Sequence, residues 1–202
     1  MNVALIGATG QAGSRILAEL ASRGHTVTAI VRNPETVPAL PGVTAKKADV
    51  LDQDGLAKVL HGHDAVISAV HFTASDPHKL LAAVRASGVK RYLVVGGAAS
   101  LEVAPGVKLL DTPNFPDAYK AEASAGSAFL DLLRAEHDVD WTFLSPSAAF
   151  GPGERTGTFR LGTDQLLTGQ HGSRISFEDY AIALADELEK PAHSRARFTV
   201  GY

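Results

Sequence analysis

Apolar and polar positions along the chain switch between two periods. Val3 to Ile6 is a short apolar run that stops at glycine, and it predicts a buried strand. From Gln11 to Arg23 the period lengthens. Ala12, Ile16, Leu17, Leu20 and Ala21 fall at helical spacing, and Gly24 is placed to close the helix. Thr26 to Val31 is β-branched and apolar, which predicts a second strand and completes a βαβ unit. The alternation continues with strands predicted at Val43 to Ala48, Asp64 to Val70, Arg91 to Val95 and Asp140 to Leu144. Asp64 to Val70 is apolar on both faces, as an internal parallel strand should be. Helices are predicted from the Asp52 cap to Leu60, from Asp76-Pro77 to Gly88, and from Asp117 to Glu136. Leu101 to Pro116 carries three prolines and reads as a loop.

After Pro146 the pattern changes. Residues 151 to 175 are rich in glycine, threonine and arginine and predict loops with a short hairpin. Ser176-x-x-Asp179 has the form of a capping box for a helix to Lys190, and Arg197 to Val200 predicts a last strand. No repeat, low-complexity tract or linker divides the chain. The 202 residues are expected to form one domain, 1–202, with residues 150–175 as a small appendage covering the substrate side.

The chain has no cysteine, which excludes disulfides, thiolate catalysis and cysteine-bound metals. The eight histidines form no motif with metal-ligand spacing, and His61-Gly62-His63 lacks a third ligand. A net charge of -3 gives no general attraction to nucleic acid or anionic membrane. Met1 runs straight into a strand pattern, so no signal peptide is read and a cytoplasmic protein is expected. Whether it is a monomer or a homodimer is open at this point.

The strongest chemical signal is Gly7-Ala8-Thr9-Gly10-Gln11-Ala12-Gly13, a G-x-x-G-x-x-G loop between a strand and a helix. Gly7 permits the turn out of the strand, Gly10 lets a pyrophosphate reach the backbone, and Gly13 lets the helix pack on the sheet. Free amides at the helix start, including those of Gln11 and Ala12, then face the phosphates beside Thr9. At the end of the second strand an acid would bind ribose hydroxyls, whereas this chain has Arg32-Asn33. Arginine suits a 2′-phosphate, so NADPH is the expected cofactor and NADH the alternative. Asp49 and Val50 are placed beside the adenine, and Ser68, Ala69 and Val70 beneath the cofactor.

These features resemble the extended and atypical short-chain dehydrogenase/reductases. GATGQAG and VRNP look like the NmrA-like, NAD(P)H-binding branch. WTFLSPSAAFGPGERTGTFRLGTD and ISFEDYAIALADELEKPAHSRARFTVGY are similar to the NADH-flavin reductase group. The resemblance covers essentially the whole chain. It implies an α/β, Rossmann-type, doubly wound parallel sheet whose C-terminal part builds the substrate pocket. It also implies hydride transfer to a flavin, with FMN or FAD as substrate, or to another small-molecule electron acceptor.

One departure matters. Short-chain dehydrogenases use Tyr-x-x-x-Lys, in which lysine lowers the tyrosine pKa for proton donation. Here Tyr119 and Lys120 are adjacent and point about a hundred degrees apart on a helix. Gly96, Gly97, Ala98 and Ala99 follow the fifth strand where a serine is usual. This favours a reductase that passes hydride to a flavin or quinone-like ring, with Lys120 at the ribose as the catalytic candidate. It also admits a non-catalytic NAD(P)H-binding redox sensor. A nucleotide-sugar epimerase or dehydratase is disfavoured, because it would need the missing tyrosine. Pro146, Ser147 and Ala148 are placed beside the nicotinamide, with Gly97 across from them. His71, Phe72 and Phe150 are candidates to meet the acceptor, and Arg155 and Arg160 to hold an acceptor phosphate.

Overall fold

In the computed structural model, which describes residues 1–202, the expected alternation is present from the first residues. The elements are β1 (Asn2–Ile6), α1 (Gln11–Ser22), β2 (Thr26–Val31), β3 (Val43–Lys47), α2 (Gln53–Leu60), β4 (Ala65–Ser68), α3 (Pro77–Ser87) and β5 (Arg91–Val95). They continue with β6 (Glu102–Ala104), β7 (Val107–Lys108), α4 (Asp117–Arg134), β8 (Asp140–Ser145), β9 (Ala149–Gly151), β10 (Arg160–Gly162), β11 (Arg174–Ser176), α5 (Phe177–Glu189) and β12 (Ala196–Gly201).

Eight strands form one sheet in the order β10-β12-β8-β5-β4-β1-β2-β3. All neighbours run parallel except β10, which lies antiparallel on β12. This is the α/β, Rossmann-type architecture. The chain winds outward from β1 to β3, then crosses back to β4 on the other side of β1. The strand ends between β1 and β4 are therefore the switch point, where open α/β sheets bind ligands.

The two-residue period of the strands divides the core. Val3, Leu5, Val27, Ala29 and Ile67 face α1 and α5 within a cluster of 22 buried residues. Ala4, Ile6, Ile30, Val66 and Tyr92 face α2, α3 and α4 within a second cluster of 19. Every internal strand is buried on both faces, which is why these strands read as continuous apolar runs.

The differences from expectation have local causes. β4 stops at Ser68 because β1 ends opposite it at Ile6, so Ala69 and Val70 leave the sheet at the switch point. The loop expected at Leu101 to Pro116 contains the β6–β7 hairpin, whose Pro105-Gly106 turn has Gly106 at φ 73°. The hairpin expected within 151–175 is reduced to a single antiparallel bridge between Gly169 and Gly172. β9 pairs in parallel with β11, and β10 joins the main sheet beside β12. Each of these short strands pairs with a segment more than 20 residues away, which no local pattern reveals.

One buried charge cluster pins α5 beneath the sheet. Arg91 donates to Glu187 Oε1 (2.8 Å) and Thr142 Oγ1 (2.7 Å), while its Nε has no partner. Glu187 also accepts from the His193 ring (2.7 Å) and from the amides of Ala192 and His193. Glu187→Leu leaves the buried Arg91 guanidinium with only the more distant, partly exposed Asp140 carboxylate (3.5 Å) as counter-charge. It is expected to destabilise the protein by about 3–5 kcal/mol. The matching fall in Tm is roughly 10 °C for a chain of this size, measurable by thermal and urea unfolding.

Candidate active site

The glycine loop is shaped by contacts that no side chain could share. Gly7 has φ +81°, and a Cβ there would lie 2.4 Å from the Ala69 carbonyl oxygen. A Cβ at Gly13 would lie 2.1 Å from the carbonyl oxygen of Gly7. Gly10 is different. Its Cβ would meet only ordinary or slightly tight neighbours, the nearest being the Gly7 carbonyl oxygen at 3.3 Å. The Gly10 amide closes the turn on that oxygen (3.1 Å), and Gly10 stands as the N-cap of α1. No side chain caps α1 and no acid lies in its first turn. Helices α2, α3 and α5 are by contrast capped by Asp52, Asp76 and Ser176. The amides of Gln11, Ala12 and Gly13 thus have no protein acceptor.

A cavity of about 900 Å³ runs over the strand ends from this loop. Thr9, Gly10, Gln11 and Ala12 border it at the loop, Arg32, Asp49 and Val50 at one end, and Pro146, Ser147 and Ala148 at the other. Ala69 and Val70 form part of its floor. Arg32 is exposed, and the Asp49 carboxylate accepts from the Leu51 amide (2.9 Å). Three expected contacts are corrected. Asn33 does not line the cavity, and its carbonyl caps the short turn at Pro34–Thr36. Ser68 lies below the floor, fully buried, with its hydroxyl 2.8 Å from that of Tyr92. The Ser147 hydroxyl donates to the Val200 carbonyl (3.0 Å) and the residue is fully buried, so it offers the cavity no free hydroxyl.

A second, larger cavity of about 1480 Å³ adjoins the first. It lies between the segment after β5, the first turns of α4, and the walls made by β9 and β11. Phe72, Gly97, Ala98, Glu122, Ala148 and Phe150 border both cavities and form their junction. Phe72 is wedged against Gly126, where any Cβ would strike its ring at 2.7 Å, and stacks on Phe143. Phe150 packs against Phe177 and Tyr180.

Glu122 had no local signal in the sequence, because its partners lie some 50 residues away. Its carboxylate accepts from the amides of Phe72 (2.7 Å) and Thr73 (2.9 Å), the Thr73 hydroxyl (2.7 Å) and the exposed His71 ring (3.2 Å). Burial opposes its ionisation. The bonds from Thr73, Phe72 and His71 outweigh burial and hold its pKa below the ordinary carboxylate value. The junction therefore carries a fixed negative charge and no carboxylic proton near neutral pH.

The basic residues expected over the site are engaged elsewhere. Lys120 pairs with Asp117 at 2.6 Å on the outer face of α4 and borders neither cavity. Tyr119, 65% exposed, borders the larger cavity. Arg155 turns to Glu19 on α1 with two bonds of 2.9 Å, and Arg160 donates to the carbonyls of Thr168 and Tyr202. Long side chains take the nearest strong acceptor, which is far off in sequence for Arg155 but one helical turn away for Lys120.

The capping box is only half formed. Ser176 caps the Asp179 amide (3.0 Å), but the Asp179 carboxylate does not return to Ser176. It accepts from the amides of Thr156 and Gly157 (both 2.8 Å), the Thr156 hydroxyl (2.6 Å) and the Tyr202 phenol (2.8 Å). Burial raises its pKa and these bonds lower it, with a net shift downward. Asp179 thus anchors the 153–158 wall of the larger cavity to α5.

A family model described as NAD(P)H-binding matches residues 7–191. The chain belongs to the NAD(P)H-binding family. That membership is consistent with the NmrA-like, atypical short-chain dehydrogenase/reductase resemblance of the sequence. The uncharacterised protein YwnB of Bacillus subtilis is 41% identical over 99% of this chain and 98% of its own length. A Bacteroides thetaiotaomicron protein, provisionally named an epimerase, superimposes with a TM-score of 0.95 at 42% identity. The match spans 100% of this chain and 96% of that one. A Streptococcus pneumoniae protein, provisionally named an NADH-flavin reductase, gives 0.84 at 39% identity, over 100% of this chain and 99% of its own.

The residues present fit the dinucleotide of this NAD(P)H-binding family. The loop is a cradle that side chains would fill, and the α1 amides beside it are free. Two substitutions separate folding from binding. Gly13→Ala forces α1 off the Gly7 carbonyl, so it should lower stability by about 1–3 kcal/mol and lose the dinucleotide. Gly10→Ala should fold with nearly unchanged Tm yet weaken the dinucleotide at least ~10-fold, because its methyl occupies the approach of the pyrophosphate. Thermal unfolding and fluorescence titration with NADPH and NADH check both.

Proposed function

We propose that the protein is an NAD(P)H-dependent reductase that passes hydride to a flavin or quinone-like ring, with NADPH as the preferred donor. The observation that carries this reading is the junction. The dinucleotide cavity opens into a larger, largely apolar cavity at Phe72, Gly97, Ala98, Glu122, Ala148 and Phe150. A ring seated there lies against the nicotinamide end of the first cavity.

When bound, the reduced nicotinamide supplies a hydride. The chain's own residues bind and orient. The Gln11 and Ala12 amides hold the pyrophosphate, Arg32 meets a 2′-phosphate, and the Pro146–Ala148 segment borders the carboxamide. Phe72 and Phe150 give the acceptor apolar walls and exclude water. The acceptor ring takes the hydride and one proton from solvent, leaving oxidised nicotinamide, so no residue has to donate a proton. That suits a junction whose one carboxylate stays ionised and whose Lys120 is turned outward. The same features disfavour epimerase chemistry.

The outward Lys120 also supports a second reading, a non-catalytic sensor of NAD(P)H. Pure protein with NADPH and FMN, riboflavin or menadione separates the two. Loss of nicotinamide absorbance well above the protein-free rate is expected. Tight NADPH binding with no turnover on any acceptor would leave the sensor. For the donor, Arg32→Asp removes a charge-assisted bond worth roughly 1.5–3 kcal/mol. It should weaken NADPH relative to NADH by about 10- to 100-fold. An unchanged ratio in paired titrations would remove Arg32 from the 2′-phosphate.

A further inference from the structure

Resting on the reductase reading, we infer that the larger cavity selects ring acceptors without a phosphate, and that Glu154 together with Glu122 sets this preference. The charged side chains bordering the cavity are Glu122, Glu154 and Arg174, two carboxylates against one guanidinium. Arg174 lies over the Tyr202 ring, 5.5 Å from its centre. The cations that could have balanced the cavity are taken. Arg155 is bound by Glu19, Arg160 by two carbonyls and Lys120 by Asp117.

The backbone repeats this pattern. Loops with successive free amides make good phosphate sites. In the 153–158 wall three such amides are filled by the protein's own carboxylates, leaving those of Glu154 and Arg155 without an acceptor. Gly153 donates to Glu178 (2.9 Å), and Thr156 and Gly157 donate to Asp179. The Ser176 hydroxyl, also on this wall, donates to the Glu154 carbonyl (2.9 Å). The free amides after β5 at Gly97 and Ala98 share the junction with ionised Glu122, which opposes a phosphate there. The remaining lining mixes apolar and aromatic surface, including Phe115, Pro116 and Ile175, with uncharged polar groups such as Thr112, Asn114 and Ser127. An uncharged isoalloxazine or quinone is matched by such a cavity, whereas a phosphate carrying about two negative charges would meet one guanidinium, Arg174, against two carboxylates.

The test uses the full chain with NADPH and compares riboflavin with FMN, which differ by the phosphate alone. Steady-state kcat/KM for each flavin is measured, together with quenching of flavin fluorescence, which reports binding without turnover. Riboflavin is expected to exceed FMN by about tenfold or more in both. Glu154→Lys changes the local charge by two units and should raise FMN relative to riboflavin by roughly tenfold. FMN equal to or better than riboflavin, or a ratio unmoved by Glu154→Lys, overturns the inference. Failure of riboflavin to bind also overturns it, even if menadione is reduced. Tighter quenching by riboflavin without turnover on any acceptor upholds the selectivity and overturns the reductase reading instead.

Discussion

The site depends on how closely the backbone of α1 approaches the ends of β1 and β4. Gly13 rests on the carbonyl of Gly7, and Gly7 rests on the carbonyl of Ala69, at distances that exclude a β-carbon at either point. That contact sits at the switch point of the sheet, so one constraint couples the strand order to the ligand cradle. It also aims the open end of α1 along the cleft. α1 and α5 pack together on one face of the sheet, and α5 is fixed below by Arg91 and Glu187. A looser approach of α1 would move the phosphate-binding amides and disturb that whole layer.

The distribution of free amides maps function onto the fold. Where the protein builds a rigid wall, it satisfies loop amides with carboxylates: Glu122 holds Phe72 and Thr73, Glu178 holds Gly153, and Asp179 holds Thr156 and Gly157. Where an anionic cofactor is to lie, at α1, it supplies no cap and no acid. The difference is electrostatic as well as geometric. Glu122 and Glu154 outnumber Arg174 around the larger cavity, while the α1 end adds the positive pole of a helix dipole to free donors. A dinucleotide and an uncharged ring are thereby sorted into neighbouring spaces by the same arrangement.

The scaffold was legible because its determinants are local. Periods of two and 3.6 residues, helix caps at Asp52, Asp76 and Ser176, and a glycine loop between strand and helix all lie within a few residues of what they specify. The glycine, Arg32 and Pro146–Ala148 parts of the cofactor cleft follow from that scaffold, since strand ends in a parallel sheet point the same way. The acceptor side was much less legible. Arg155, Arg160 and Lys120 carry charges on long flexible stems; Arg155 and Arg160 are placed by Glu19 and by two carbonyls outside their own segment, and Lys120 by Asp117 one helical turn earlier. Glu122 and Asp179 became visible only once distant loops were folded against them. Asp179 even carried a plausible local role in a capping box, which its tertiary partners then overrode.

The adjacency of Tyr119 and Lys120 takes on a definite meaning in this setting. A helix can present two residues to one cleft when they are three or four apart, and neighbours diverge by about a hundred degrees. Tyr119 here borders the larger cavity while Lys120 is tied outward to Asp117, so the lysine does not stand beside the phenol. Glu122, one turn further along the same helix, is occupied in holding Phe72 and Thr73. The face of α4 toward the junction thus contributes shape and fixed charge but no transferable proton. Chemistry that needs a protein proton at the acceptor is poorly served by it. Transfer of a hydride to a ring that draws its proton from water asks only for apposition and dryness, which the wedged Phe72 and packed Phe150 provide.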